Sequence, residues 1–491
     1  MAENYSLPTA SELKPMSDFN VPQLGQLQST AAFKDVQKLN QYIFVENTYT
    51  GEYGYRDCSY LIPNDKETFY ETRRKISYYV NVFKPIISAM IDPVFSAEIK
   101  RESTNDMFDD FIENCDNAGT PLNIFMRNAI RNARLFSINF VVMDNFSSAV
   151  LEHEETTEQL IKNRKYPYIY EKKPYEVYEH ETNEQGGLIS ITFQDRCEEM
   201  TIGGKEEEVQ FYRQWDSVGW TLFYIGKKKE EVVVETGTHN LGMIPVVCIV
   251  DFANSANLEE LPCPELYDMA RLCFGLFNKE SQVCDMELRQ TFAVFCTSGM
   301  GKSAIVLSQA TFIDSGTESK YPPQYVSPAQ EGIKVLVDNC QRLKEEIKDQ
   351  AKQKGVIGIK EQSSGIAKEW DFRAEEQVLQ QTAKAGERVE ELLAELFGLY
   401  IGSAIDYVVE YPERFDPKAN ENAIAERLLI LKDVTDRTII KYINLDIAEK
   451  LWGKNEDKLA LIKAEMEQST IENATISAMM DESAVNNNIG Q

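Results

Sequence analysis

Histidine is scarce in this sequence. Only His153, His180 and His239 occur, each isolated from the others and from any cysteine at ligand spacing, so no metal centre is expected. The nine cysteines never form a CxxC pair and are odd in number, which points to a reducing compartment rather than a disulfide framework. Long apolar runs are missing too. The longest, residues 244–250, falls far short of the roughly 20 residues that a membrane-crossing helix needs, so no membrane partner is expected. Residues 1–16 hold Glu3 and Glu12 among polar neighbours and carry no continuous apolar stretch, so no secretory signal is expected there. Positive charge is in short supply: 51 Lys and Arg stand against 79 Asp and Glu, a formal net charge of -28. That balance excludes a subunit that clamps duplex DNA by neutralising its phosphates. If DNA is a partner it must slide, and in a symmetric ring a mostly acidic lumen would repel phosphates and lower friction. The plainer reading of the acidity is solubility.

What is present suffices for more than one packed region, since 491 residues with 43% hydrophobic content exceed a single core. Residues 66–146 read as helices. Phe69, Arg73, Ile76, Tyr79, Val80 and Phe83 recur at helical spacing until Pro85 interrupts. Phe108, Phe111, Ile112 and Cys115 share a second face, Gly119 and Pro121 make a turn, and Leu122, Phe125, Met126, Ala129, Ile130 and Ala133 resume the period. Residues 140–143 then read as a buried strand ending at Asp144. Between 166 and 250 the period changes to two, with turns expected at Gly186-Gly187, Gly203-Gly204 and Gly237. Strands are expected at 209–212, 220–225, 232–234 and 244–250.

A long helix starts near 264, with Leu266, Met269, Cys273, Leu276, Val283 and Glu287 at heptad-like intervals. Residues 291–328 form an insert with β-like runs at 292–295 and 304–307. A second helix over 329–354 carries Ile333, Leu336, Cys340, Leu343 and Ile347 as its seam. Residues 358–370 read as a polar loop, and a third helix over 372–397 carries Val378, Thr382, Ala385, Val389, Leu392 and Leu396. A short strand at 407–410 and helices at 421–432, 435–443 and 456–468 follow, with a flexible end from 469. The fold class expected from this order is α+β.

No signal for chemistry survives weighing. Gly299-Met300-Gly301-Lys302-Ser303 hints at a phosphate loop, but Cys296 stands where its first glycine belongs, and a turn between two short strands explains the glycines more simply. An NTPase built on Lys302 is therefore a rival to be tested by Lys302→Ala, with no nucleotide binding expected from either form. No serine-hydrolase elbow occurs, and Ser363-Ser364-Gly365 sits in a polar loop. The pairs Glu345-Glu346 and Glu390-Glu391 are adjacent on helices and read as solvating a face. No cofactor is implied, and the chain reads as a structural protein rather than an enzyme. Lys344, Lys348 and Lys352 project along one side of the second helix, either toward a DNA backbone or a neighbour's acidic face, or simply into water.

Several runs, taken in order, resemble the portal proteins of tailed bacteriophages. Residues 108–144, with Asp116-Asn117-Ala118-Gly119 and Phe140-Val141-Val142-Met143-Asp144, are similar to that family's wing. Tyr166-Pro167-Tyr168, Tyr170 and Tyr178, and then His239-Asn240-Leu241-Gly242-Met243-Ile244-Pro245-Val246, resemble its β segment and exit. Ser363-Ser364-Gly365-Ile366-Ala367-Lys368 looks like the segment before its tunnel helix. The resemblance spans about 67–450 and rests on the order of the runs. One departure is Ser137-Ile138, where the family often has glycine before the wing strand.

The resemblance implies a homo-oligomeric ring of twelve subunits at one capsid vertex of the virion, assembled in the host cytoplasm. It implies an arm (1–65), a wing (66–262), a stem (263–290 and 329–354), a clip (291–328), a tunnel loop (355–371), a tunnel helix (372–401), a wing return with crown helices (402–468) and a flexible tail (469–491). Double-stranded DNA would pass through the channel in packaging and ejection, along Lys344, Lys348, Lys352, Lys360, Gln362, Ser363 and Ser364. The clip, through Lys302, Phe312, Lys320, Tyr321 and Tyr325, would meet the large terminase subunit and later the head-completion adaptor, while major capsid and scaffolding proteins would surround the ring. The alternative is a ring adaptor or scaffold without DNA passage.

Overall fold

A computed structural model describes residues 36–64, 67–145, 165–202, 205–226, 230–239, 241–250, 258–290, 294–297, 312–314, 324–326, 331–353 and 365–412, with isolated positions beyond. The chain divides into two units, Met1–Glu413 and Arg414–Gln491. In the second unit the described residues 440, 442–445, 447 and 461–464 are helical, in agreement with helices read at 435–443 and 456–468. The helix expected at 421–432 and the tail from 469 lie outside the described residues. Everything that follows concerns the first unit, an α+β assembly.

Helix α1 (Val36–Thr50) opens the described chain, and Leu39, Tyr42, Ile43, Phe44 and Val45 on it are buried. From Val36 onward, therefore, the segment expected to be an arm is core. Helix α2 (Tyr70–Ile76) and helix α3 (Phe83–Ser96) follow. The continuous helical spacing read across 69–83 breaks at Ser77, whose backbone is extended (φ -79°, ψ 145°). The break has a packing reason: it lets Tyr79 stack on Tyr55 with ring centroids 4.0 Å apart. Pro85 does not interrupt a helix but sits in the first turn of α3, where its missing N–H has no intrahelical partner to lose.

Strand β1 (Lys100–Ser103) precedes α4 (Asp106–Glu113), whose N-cap Asn105 accepts hydrogen bonds from the backbone of Met107 and Phe108. A turn with Gly119 at φ +98° leads to α5 (Leu122–Phe136) and to strand β2 (Ile138–Asp144), every residue of which is buried. The hairpin and the strand were both legible from periodicity.

Strands β3 (Tyr168–Lys172), β4 (Val177–Thr182), β5 (Leu188–Ile202), β6 (Lys205–Trp215), β7 (Gly219–Ile225), β8 (Glu231–Thr238) and β9 (Val246–Val250) come next. They form two sheets rather than one. β3-β2-β9 is a three-stranded antiparallel sheet, and β4 to β8 make a five-stranded meander. Gly237 is not a turn: it lies within β8, where a Cβ would come within 2.5 Å of the Trp220 ring. The β6–β7 turn is instead made by Asp216, whose carboxylate accepts the N–H groups of Val218 and Gly219. Gly203-Gly204 lies outside the described residues.

Helix α6 (Tyr267–Gln290), strands β10 (Val294–Thr297), β11 (Phe312–Asp314) and β12 (Gln324–Val326), helix α7 (Glu331–Gln353), helix α8 (Gly365–Ile401) and strand β13 (Tyr407–Glu410) complete the unit. β13 pairs with β1 across α8. Helix α8 begins seven residues before the expected start at 372, so Gly365–Asp371, read as loop, is helical.

Candidate functional site

Helices α6 and α7 form an antiparallel pair: Lys344 meets Glu280, while Gly332 lies beside Met286. The apolar seams read from the sequence face each other, and Cys340, Ile347 and Ala351 are buried in the contact. The N-terminal half of α6 is anchored. Cys273, Phe274, Leu276 and Phe277 are buried among Phe44, Tyr55 and Tyr60, and burial pushes the Cys273 thiol up to about 12.

Arg73 fastens the same stretch. Its guanidinium is 1% exposed and donates to both carboxylate oxygens of Glu67 at 2.8 Å, to the Ile62 carbonyl at 2.7 Å and to the Ser281 hydroxyl at 2.8 Å. Such a bidentate guanidinium, with four directed bonds, compensates its desolvation. Beyond Ser281 the helix loses cover, and Leu288 on α6 and Val335 and Val337 on α7 are 51%, 58% and 45% exposed. The far half of the hairpin thus presents apolar side chains to its surroundings.

A three-stranded sheet is inserted between the free ends of the two helices. β10 is its centre, antiparallel to β12 and parallel to β11. The glycines at 299 and 301, read as a turn between two short strands, lie with Lys302 outside the described residues. The expected run at 304–307 does as well. Register places Phe312, Phe295 and Tyr325 at neighbouring positions in one row across the sheet, so two of the five residues expected to meet a partner flank Phe295, which the sequence did not single out. Lys320 and Tyr321 lie outside the described residues.

The lysine ladder divides. The Lys344 ammonium is 2.7 Å from the Glu280 carboxylate, and that bond, against a smaller desolvation penalty, holds its pKa above the ordinary value. Lys348 is exposed, and the side chain of Lys352 lies outside the described residues. Lys360, Gln362, Ser363 and Ser364 precede the start of α8 and also lie outside them. The remaining outer surface of α7 is laced by an Arg342–Glu346 pair at 3.0 Å and a Gln341–Glu345 hydrogen bond at 2.8 Å.

No family model matches the sequence, nor does any curated protein. Solved structures similar to it come from gene transfer agent particles. A chain of the native virion aligns at TM-score 0.38 and 10% identity, covering 83% of this chain and 99% of that one. A chain of the empty-particle neck computed with C6 symmetry gives 0.37 and 10%, covering 74% and 90%. A chain of the native-particle neck computed with C12 symmetry gives 0.36 and 9%, covering 73% and 88%.

Helix α8 holds a polar centre that the sequence reading missed. Glu390, expected to solvate a surface, is 0% exposed and receives Arg101 in a fork at 2.7 and 2.8 Å. The hydroxyls of Tyr407 and Tyr411 donate to its two oxygens, each at 2.6 Å. Burial and then the Glu390 charge raise both phenols, and burial, which alone would lower Arg101, is outweighed by its bonds to Glu390. The signal was present: Glu390 occupies the buried file Ala383, Gly386, Leu393 and Phe397, one carboxylate among apolar positions one turn apart. Glu391, by contrast, is exposed as expected.

The remaining histidines in the described chain serve structure. His180 Nε2 donates to the Leu258 carbonyl at 2.9 Å, and His239 Nε2 donates to that of Asp216 at 3.0 Å. Among the described residues no group of acidic, cysteine and histidine side chains could hold a metal, and no helix is long and apolar enough to cross a membrane.

Proposed function

We propose that this chain is the subunit of a portal ring at one vertex of a phage-like capsid, the channel through which double-stranded DNA is packaged and ejected. The observation that carries the reading is the hairpin of α6 and α7. It is anchored at one end by Arg73 and the aromatic cluster, capped at the other by a small sheet, and left with Leu288, Val335 and Val337 exposed along its free half. A monomer has little use for such a rod; copies packed side by side around an axis would cover it.

The sheet at the tip, with Phe312 and Tyr325 in one row, is the proposed docking point for the large terminase subunit and then for the head-completion adaptor. Twelve copies, seated among major capsid and scaffolding proteins in the virion, follow from the sequence resemblance. The role is mechanical: the net charge of -28 suits a surface along which DNA slides, and nucleotide hydrolysis belongs to the motor that docks. Lys348 and Lys352 are left as the phosphate contacts of the ladder, because Lys344 is engaged with Glu280.

Electron microscopy of the purified assembly tests the reading. An open axial bore wide enough for duplex DNA supports it. A closed disc points to a scaffold without DNA passage, and a stable monomer overturns both.

A further inference from the structure

Two exposed helix surfaces of the first unit match each other in charge, spacing and relief. Along α5, Ile124 is 50% exposed, and Arg127 and Arg131 follow on the same stripe, one turn apart. Arg127 is paired at the surface, its guanidinium 2.8 Å from Asp92 with both side chains well exposed, while Arg131 is half-buried, donates to the Asn128 side chain at 3.0 Å and lies over the Tyr49 ring at 5.6 Å. Lys84 lies over the same ring, so three cations stand here beside Asp92.

On α8, Glu391 and Glu395 are exposed and also one turn apart. They line an open groove of about 550 Å³ together with Gly398, Leu399, Gly402 and Ile405. Glycine at 398 lets the chain turn back closely after α8, because a Cβ there would come within 2.8 Å of the Ser403 carbonyl. Leu399 and Val408 beside it are 43% and 51% exposed.

We infer that α5 of one copy docks antiparallel on α8 of the next, with Arg131 facing Glu391, Arg127 facing Glu395, and Ile124 seated over Gly398 in the groove. The equal one-turn spacing of the two cations and the two carboxylates sets this register. The apolar residue one turn before Arg127 then falls at Gly398, one turn beyond Glu395. Because the two surfaces differ, the contact is head-to-tail, the kind that closes into rings. The inference rests on the ring reading and supplies its lateral contact.

The test is reversal and rescue, read by native mass spectrometry of the full chain. Arg127→Glu with Arg131→Glu is expected to lower the ring fraction at least tenfold at equal concentration, with circular dichroism unchanged. Adding Glu391→Arg and Glu395→Arg to the same chain is expected to restore rings, and Ile124→Asp alone is expected to lower them as well. Rings that tolerate the reversal, or a loss that the swap fails to restore, overturn this pairing while leaving the ring reading intact. A parent chain that stays monomeric sinks the ring reading itself.

Discussion

Ser137 joins α5 to β2 in a left-handed backbone conformation, φ +67°, and its fully buried hydroxyl accepts the backbone N–H of Glu265 at 2.9 Å. One residue therefore closes the helix, starts β2 and fixes the chain entering α6. At a position where glycine would carry no Cβ strain, serine supplies a bond that glycine lacks. Ser137→Ala keeps the strain and removes the acceptor of a part-buried hydrogen bond, so a loss of about 0.5–1.5 kcal/mol is expected in chemical denaturation. Ser137→Gly also loses the bond but relieves roughly 1–2 kcal/mol of left-handed strain, so it should prove the milder change. An alanine variant no worse than the glycine variant would refute the account.

The Arg101–Glu390 fork makes a second, larger claim. Removing one partner strands a charge beneath β1 and β13, and Glu390→Ala is expected to cost about 3–5 kcal/mol. Replacing both partners with methionine should cost less than the two single changes added together. A double-mutant cycle on urea midpoints measures that coupling, and additivity within error would count against the network.

Much of this architecture was readable in advance, for identifiable reasons. The α4–α5 hairpin, β2, α6, α7 and β13 are amphipathic or uniformly apolar, so their periods appear directly in the residues. The break at Ser77 did not appear, because it is dictated by Tyr79 reaching Tyr55, a contact between segments that local spacing does not encode. Gly237 was misread for a related reason: it is glycine because Trp220 from the neighbouring strand lies where its Cβ would be. Glu390 was legible only as an anomaly within a buried file. The partnership of Lys344 with Glu280 depends on how two helices pack, which neither helix reveals alone.

That cross-strand reading of the glycines can be checked. Gly237→Ala presses on a side chain that can rotate, whereas a Cβ on Gly219 would lie 2.1 Å from the Gly237 carbonyl, fixed backbone in the ladder. Gly219→Ala should therefore lower the melting temperature more than Gly237→Ala does. The reverse ranking in thermal scans would show that the Trp220 contact is the stiffer one.

The junction of the two sheets should respond to pH through one buried and one half-buried group. Burial raises Asp144 above the ordinary carboxylate value, despite Arg213 and the Tyr168 hydroxyl at 3.2 Å, and burial lowers His239 below the ordinary imidazole value. For Asp144 the raised folded pKa favours the protonated acid. Its contribution is complete below the unfolded value near pH 4 and is lost as pH rises through the folded one. For His239 the depressed folded pKa favours the neutral ring, whose contribution is present above about pH 6.5 and lost as pH falls through the folded value. Asp144→Asn should gain melting temperature relative to the parent as pH rises from about 4 to about 7. His239→Gln should gain as pH falls through the imidazole range. Melting curves for each variant that stay parallel to the parent's across that span would contradict the assignment.

The lysine ladder yields a prediction in which stability and packaging separate. Lys344 is half-buried against Glu280, so Lys344→Ala should loosen the hairpin, by no more than about 1 kcal/mol given its partial exposure, and leave DNA uptake near normal. Lys348 is exposed, and losing its charge should leave the melting temperature unchanged. If DNA passes along this side of α7, Lys348→Ala combined with Lys352→Ala should reduce nuclease-protected DNA per particle, and raising the salt concentration should narrow the gap to the parent. Equal DNA content in both particles would make the exposed pair a solvated stripe. A packaging defect confined to Lys344→Ala would instead place the important contact inside the helix pair, and the channel side of α7 would have to be sought on another face.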